Sequence, residues 1–262
     1  MFWIPLFIFI VGVCIGSFLN VAIFRTHEDE SIVRGRSKCQ TCEVSIGAQD
    51  LVPILSYLRL KGRCRSCKSV VSWQYPVVEL ATGMLFLLMY LTIDWNIPYN
   101  LGLQDMMLLL FRNWVFVSYL VLIFVYDLRH MLILDRFTIP AMIFAVLANL
   151  WLGVIPGWSV LVGGLVIGGF FWLQFTISKG VWVGGGDIRM GALMGFMLGI
   201  EQGFVALFLA YVLGALIGVG LLVSKVVTRK TQVPFGTFLA VATVLTLIIG
   251  QPMIDWYLGF FL

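Results

Sequence analysis

An all-α polytopic membrane protein of about eight transmembrane helices, with a small cytoplasmic domain between the first and second, is the architecture this sequence predicts. Three observations carry that expectation. Hydrophobic residues fill 61% of the 262 positions and charged residues 11%, where soluble domains hold roughly 45–50% and about 25%. Several stretches stay apolar for the roughly 17–25 residues that a helix needs to cross a hydrocarbon core, among them Phe2 to Phe24, Phe137 to Ile155, Phe204 to Val223 and Val233 to Gly250. Basic residues, finally, gather in alternate loops.

The spans expected in order are 2–24, 76–93, 106–126, 137–155, 159–178, a short one at 190–200, then 203–223 and 233–251. The first is read as retained rather than as a cleaved signal peptide, because no Lys or Arg precedes the apolar run and no small-residue cleavage site follows it. With the N-terminus outside, 16 of the 17 Lys and Arg residues fall in inner loops and only Arg112 falls outside. That asymmetry is the positive-inside rule. Glycines recur at helix-packing spacing, as Gly12/Gly16, Gly164/Gly168, Gly191/Gly195/Gly199 and Gly214/Gly218, and such faces let helices approach closely. Asn20 continues the first of these faces and is expected to make a helix–helix hydrogen bond.

Between Arg25 and Tyr75 lies the one sizeable polar segment, whose nine basic and five acidic residues carry the whole formal charge of +4. A basic inner loop is attracted to anionic headgroups, so membrane lipids are expected neighbours and nucleic acid is not. The segment holds Cys39-Gln-Thr-Cys42 and Cys64-Arg-Ser-Cys67, two knuckles separated by 21 residues. Each knuckle can present two thiolates to one tetrahedral Zn²⁺, and the reducing inner side disfavours disulfides. Lys38, Arg63, Arg65 and Lys68 flank the knuckles and are expected to favour thiolate. Four protein sulfurs make a closed site, so the zinc is expected to be structural. Cys14, in the first span, reads as a small buried residue. The chain thus divides into a first helix at 1–24, a cytoplasmic zinc-binding domain at 25–75 and a membrane domain at 76–262.

Charges are rare in the spans, so carboxylates at their borders carry information. Asp127 follows the apolar run Val121 to Tyr126, and Asp187 follows Gly184-Gly-Gly186 and opens the sixth span. Both fall at inner ends, where two helices can bring them face to face. Two carboxyls held close cannot both ionise easily; the ionised member can activate water while the protonated one donates to a scissile carbonyl. The triple glycine leaves room for a substrate strand. The alternative is that each is an ordinary helix-boundary residue, with Asp187 as a cap and Asp127 paired to Arg129. Asp135 reads as a cap or interfacial charge, and His130 and His27 as solvated. Two other functions fit membrane carboxylates or a zinc loop: a proton-coupled transporter, which would hold its carboxylates near the midplane, and a non-enzymatic assembly scaffold.

Several stretches together resemble the type IV prepilin peptidases, the bifunctional leader peptidase and N-methyltransferase family. They are Gly16-Ser-Phe-Leu-Asn-Val-Ala-Ile-Phe-Arg25, the cysteine tetrad with Pro53 to Cys64, Tyr75-Pro-Val-Val-Glu-Leu80, Tyr126-Asp-Leu-Arg129, Gly184-Gly-Gly-Asp187 as the GxGD motif, and Pro234-Phe-Gly-Thr-Phe-Leu239. The resemblance implies a multi-pass protein of the bacterial inner membrane that cleaves the short basic leader of prepilins or pseudopilins after a glycine. It then N-methylates the new N-terminal residue from S-adenosylmethionine; a peptidase without the second activity is the alternative. Carried over by residue, Asp127 and Asp187 are the catalytic pair, and Cys39, Cys42, Cys64 and Cys67 the zinc ligands. Leu134-Asp135 stands in place of the family's usual Pro-Asp, Arg189 in place of a lysine, and Gln49-Asp50 where Trp is frequent. No Gly-rich strand-turn-helix suggests a Rossmann cofactor site, which leaves Gly62 in Leu60-Lys-Gly-Arg-Cys64 as the candidate for methyl transfer.

Overall fold

The computed structural model describes residues 3–93, 102–225 and 233–260. Phe2, Arg229 and Lys230, used in the reading of spans and orientation, lie outside these residues. The described chain is helical apart from loops and two isolated antiparallel bridges, and it divides into two compact units, Met1–Asp94 and Trp95–Leu262.

In the first unit, α1 (Trp3–His27) packs along α3 (Gln74–Thr92), and the polar loop between them carries the short α2 (Leu55–Arg59). The α1–α3 seam is the expected glycine face: a Cβ on Gly12 would stand 2.8 Å from Gly83 Cα, and one on Gly16 would stand 2.8 Å from Glu79 Cα. Asn20 makes the expected link. Its Nδ2 donates to Tyr75 O at 3.2 Å, and its Oδ1 accepts from Gln74 Nε2 at 3.0 Å. Cys14 departs from expectation, because it lies on the exposed face of α1.

The second unit contains α4 (Leu103–His130), α5 (Asp135–Leu152), α6 (Gly157–Ser178), α7 (Gly185–Val223) and α8 (Phe235–Leu258). Its interior is packed by Phe116, Leu120 and Ile123 of α4 and by Met190, Leu193, Met194 and Met197 of α7, all fully buried. Several threonines inside are satisfied within their own helix. Thr243 and Thr246, for instance, donate to the carbonyls of Leu239 and Ala242 one turn back, as apolar surroundings demand.

The α7 segment is 39 residues long, which as a straight helix would measure about 58 Å against a hydrocarbon core of about 30 Å. It breaks at Gly199, whose φ of 74° and ψ of −175° are open to glycine but not to a side-chain-bearing residue. A Cβ on Gly203 would lie 3.8 Å from Gly195 Cα, whereas eight residues of straight helix separate two atoms by about 12 Å. The chain therefore turns back on itself. Among the described residues seven helices are long and apolar enough to cross a membrane, and the broken one covers both the expected spans at 190–200 and 203–223. The protein is a multi-pass membrane protein.

Breaking a helix inside an apolar unit exposes backbone groups that need partners. Asn149 of α5 donates from Nδ2 to Phe196 O at 2.7 Å and Met197 O at 3.2 Å, and Ile200 N donates to Ser159 Oγ of α6 at 3.1 Å. Arg112 completes the network: Nη1 reaches Asn149 Oδ1 at 2.6 Å, Nε and Nη2 reach Asn113 Oδ1, and the guanidinium lies 5.2 Å from the Phe116 ring centroid. The charge-orientation count put Arg112 on the outer side, within the span expected at 106–126, and in the structure it is a buried member of the second unit, 6% exposed.

Candidate active site and metal centre

Asp127 sits one turn before the end of α4, where the left-handed Met131 (φ 52°) stops the helix and returns its N–H to Asp127 O at 2.8 Å. The side chain is 4% exposed. Its carboxyl accepts from the Thr237 backbone N–H at the start of α8. Oδ2 is buried without a hydrogen-bond partner among the described residues. Gly236 lies directly against it: a Cβ there would stand 2.7 Å from Asp127 Oδ2 and 2.5 Å from Ile133 Cδ1.

Asp187 occupies the first turn of α7, and its Oδ2 accepts from the Gly184 N–H at 2.8 Å. The boundary reading made Asp187 the N-cap; the N-cap is instead Gly184, and Asp187, three residues on, closes a capping box back to it. Asp187 is 8% exposed and near enough for its charge to act on Asp127. Gly186 packs on the same Ile133 that Gly236 touches, with its Cβ position 2.8 Å from Ile133 Cβ. One isoleucine thus gauges the spacing of three segments: the loop after Asp127, the approach to Asp187 and the start of α8. Asp135, the first residue of α5, forms an ion pair with Arg189 of α7, so its expected interfacial charge has a specific partner. His130, partly exposed at the end of α4, packs at a tilt on Tyr126 with ring centroids 4.7 Å apart.

Gly236 and Thr237 adjoin the candidate site at Asp127, and the sequence reading did not single them out. Their signal was present in Pro234-Phe-Gly-Thr, a stretch matched to the family without any role attached.

In the first unit the two knuckles adopt the same local geometry. Cys39 N donates to Val44 O and Glu43 N to Cys39 O; Cys64 N donates to Ser69 O and Lys68 N to Cys64 O. Glu43 and Lys68, one step after each second cysteine, are both left-handed, at φ 56° and 61°. The four sulfurs lie within 4.8 Å of one another, and Cys39 Sγ is 3.8 Å from Cys67 Sγ. A tetrahedron of Zn–S bonds near 2.3 Å has edges of about 3.8 Å, so the donors fit zinc. Backbone N–H groups of Cys42 and Thr41 lower the Cys39 thiol to about 6. At Cys42 the Val44 N–H acts the same way, but burial and the neighbouring sulfurs outweigh it and push that thiol up to about 11. Two of the flanking cations are engaged elsewhere. Arg65 is bidentate to Asp50 at 2.6 and 2.7 Å, and Lys38 pairs with Glu30 at 2.8 Å.

Beside the tetrad the first unit encloses a cavity of about 620 Å³, bordered among others by Ser17, Arg25, Ile54, Gly62, Tyr75 and Glu79. Gly62 is left-handed at φ 67° and abuts the Tyr57 hydroxyl. Arg25 shapes the wall, because its Nη1 donates to the carbonyls of Ser31, Ile32 and Arg34.

Fold and site together define the class: a polytopic membrane protein with a buried carboxyl pair at its helix ends and a four-cysteine loop domain. The bacterial peptidase A24 N-terminal domain matches residues 10–93, and the type IV leader peptidase family matches residues 114–219. The chain belongs to the type IV leader peptidase family. It is 32% identical over 251 residues to the prepilin leader peptidase/N-methyltransferase of Bacillus subtilis, covering 96% of each chain. The protein of the same name from Aeromonas salmonicida is 32% identical over 96% of this chain and 93% of its own, and that of Legionella pneumophila 28% identical over 98% and 97%. No solved structure matches the chain.

Proposed function

We propose that this protein cleaves the leader of type IV prepilins or pseudopilins after a glycine, at the cytoplasmic edge of the bacterial inner membrane, with Asp127 and Asp187 as the catalytic pair. The observation that carries it is the enclosure of both carboxyls at helix ends, Asp127 Oδ2 being buried and unpartnered. A buried oxygen of that kind needs a proton or a hydrogen-bond donor, and water or substrate supplies one. The ionised member takes a proton from water as the water oxygen attacks the scissile carbonyl carbon; the protonated member donates to the carbonyl oxygen. Collapse of the resulting diol breaks the C–N bond, and the leaving nitrogen takes up the proton.

The new N-terminus is then methylated, and we place that activity in the cavity of the first unit, which the 25–75 segment lines together with α1 and α3. Its volume lies within the roughly 300–1,000 Å³ of small-molecule sites, and Gly62 is on its wall. S-adenosylmethionine supplies an electrophilic methyl group there. Zinc held by Cys39, Cys42, Cys64 and Cys67 would staple the loop that forms this wall, and the 76–262 segment carries the peptidase.

Purified protein incubated with a prepilin in detergent, with and without S-adenosylmethionine, tests both halves by mass spectrometry. Loss of the leader mass alone establishes cleavage, and a further 14 Da on the mature chain establishes methylation. An intact precursor after prolonged incubation would sink the peptidase reading.

A further inference from the structure

Glu79 is a buried carboxylate that the cleavage chemistry does not use. It is 5% exposed, lies on α3 and borders the cavity of the first unit. It accepts from the Ile54 backbone N–H at 2.7 Å, and no ion pair to it forms among the described residues. Burying a carboxylate without a cation is costly, and here a second cost is accepted to hold it. Ile54 has φ 58° and ψ −54°, a region that β-branched residues seldom occupy. A strained loop residue is thus tied to a charge facing a ligand-sized cavity. Of the cations that border the cavity, Arg25 is occupied by three backbone carbonyls, Lys38 pairs with Glu30 and Arg65 with Asp50, and neither Arg36 nor Arg63 forms an ion pair with Glu79 among the described residues.

We infer that Glu79 is a binding residue for an α-ammonium group in the cavity. The inference rests on the methyl-transfer reading, which supplies two such groups: that of the methyl donor's methionine part and that of the mature pilin's N-terminus. Both are compact cations with three N–H donors, the chemistry that a carboxylate with spare lone pairs accepts.

The full-length protein with Glu79→Gln is compared with wild type in S-adenosylhomocysteine binding, in methylation of a pre-cleaved pilin and in precursor cleavage. Methylation kcat/KM should fall about 30-fold or more, the size expected for losing a buried charge-assisted contact, while cleavage and zinc content stay at wild-type levels. Weaker S-adenosylhomocysteine binding identifies the donor's ammonium; unchanged binding with a raised KM for pilin identifies the peptide's. Methylation unaffected by the substitution overturns the inference, whereas wild type that never methylates overturns the reading beneath it. A second measurement needs no variant. On wild-type protein, deaminated S-adenosylhomocysteine and N-acetylated mature pilin are tested as competitors of methylation, and at least one should bind about 30-fold more weakly than its parent. Equal competition by both overturns the inference even if Glu79→Gln does not fold.

Discussion

Gly236 is pressed against the Asp127 carboxyl so closely that a single added methyl group would stand 2.7 Å from Oδ2. The start of α8 therefore sets the position of one acid, and Gly236→Ala is expected to displace it. Overpacking of this kind costs about 1–3 kcal/mol, and Ile133 blocks retreat on the other side. Cleavage should fall about tenfold or more, with the protein still accumulating in membranes. An undiminished rate would show that α8 does not gauge the site.

Asp127→Asn and Asp187→Asn should each reduce cleavage by about 10²–10⁴-fold or more. Asparagine keeps the shape and an acceptor oxygen, so the Thr237 N–H and the Gly184 N–H retain their partners. Loss of activity in a normally inserted variant then reports proton transfer rather than capping. Full activity in either would eliminate the pair.

The Asp135–Arg189 ion pair joins the starts of α5 and α7 beside the site, and each side chain is about half exposed, 50% and 45%. Exposed pairs are worth about 0–1 kcal/mol. Asp135→Asn should therefore change the cleavage rate by less than about fivefold, and Arg189→Lys less still. A loss as large as that of Asp127→Asn would give Asp135 a chemical role.

One zinc per chain is expected from elemental analysis of the purified protein, lost in Cys39→Ser/Cys67→Ser and retained in Cys14→Ser. The first pair spans both knuckles, with sulfurs 3.8 Å apart. Methylation should suffer more than cleavage in the double variant, because the tetrad borders the cavity and the aspartates belong to the other unit. Iron in place of zinc, or no metal, would refute the assignment.

Precursor with its apolar segment intact should be cut far faster than precursor truncated a few residues into that segment. Both acids lie at ends of membrane helices, so a substrate anchored in the same bilayer gains effective concentration. Rates of the two are compared in one liposome preparation, and equality would mean that the site takes soluble peptides freely.

Much of this was legible in the sequence, for identifiable reasons. Span positions follow from the length of apolar runs, and the separate spans expected at 190–200 and 203–223 both fall in α7, whose turn belongs to Gly199. The cysteine tetrad was legible because metal-ligand spacing is local. Other features left no local trace. Thr237 and Asp127 meet only in the folded unit, so no window of sequence contains their contact. Counting charges gave Arg112 a side of the membrane but no partners, and two asparagines and a ring accept it inside, Asn149 among them from another helix. Cys14 was misjudged because outward faces of membrane helices are as apolar as inward ones, which removes the signal that separates core from surface in soluble proteins.

The break at Gly199 also fixes a length. The half-helix that carries Asp187 in its first turn runs only from Gly185 to Leu198, 14 residues that rise about 21 Å where the hydrocarbon core is about 30 Å thick. Hydrophobic mismatch of this size is relieved by thinning the bilayer around the short element. The Asp187 end of this half-helix and the turn at Gly199 are therefore too close together to reach both headgroup levels of a bilayer of ordinary thickness.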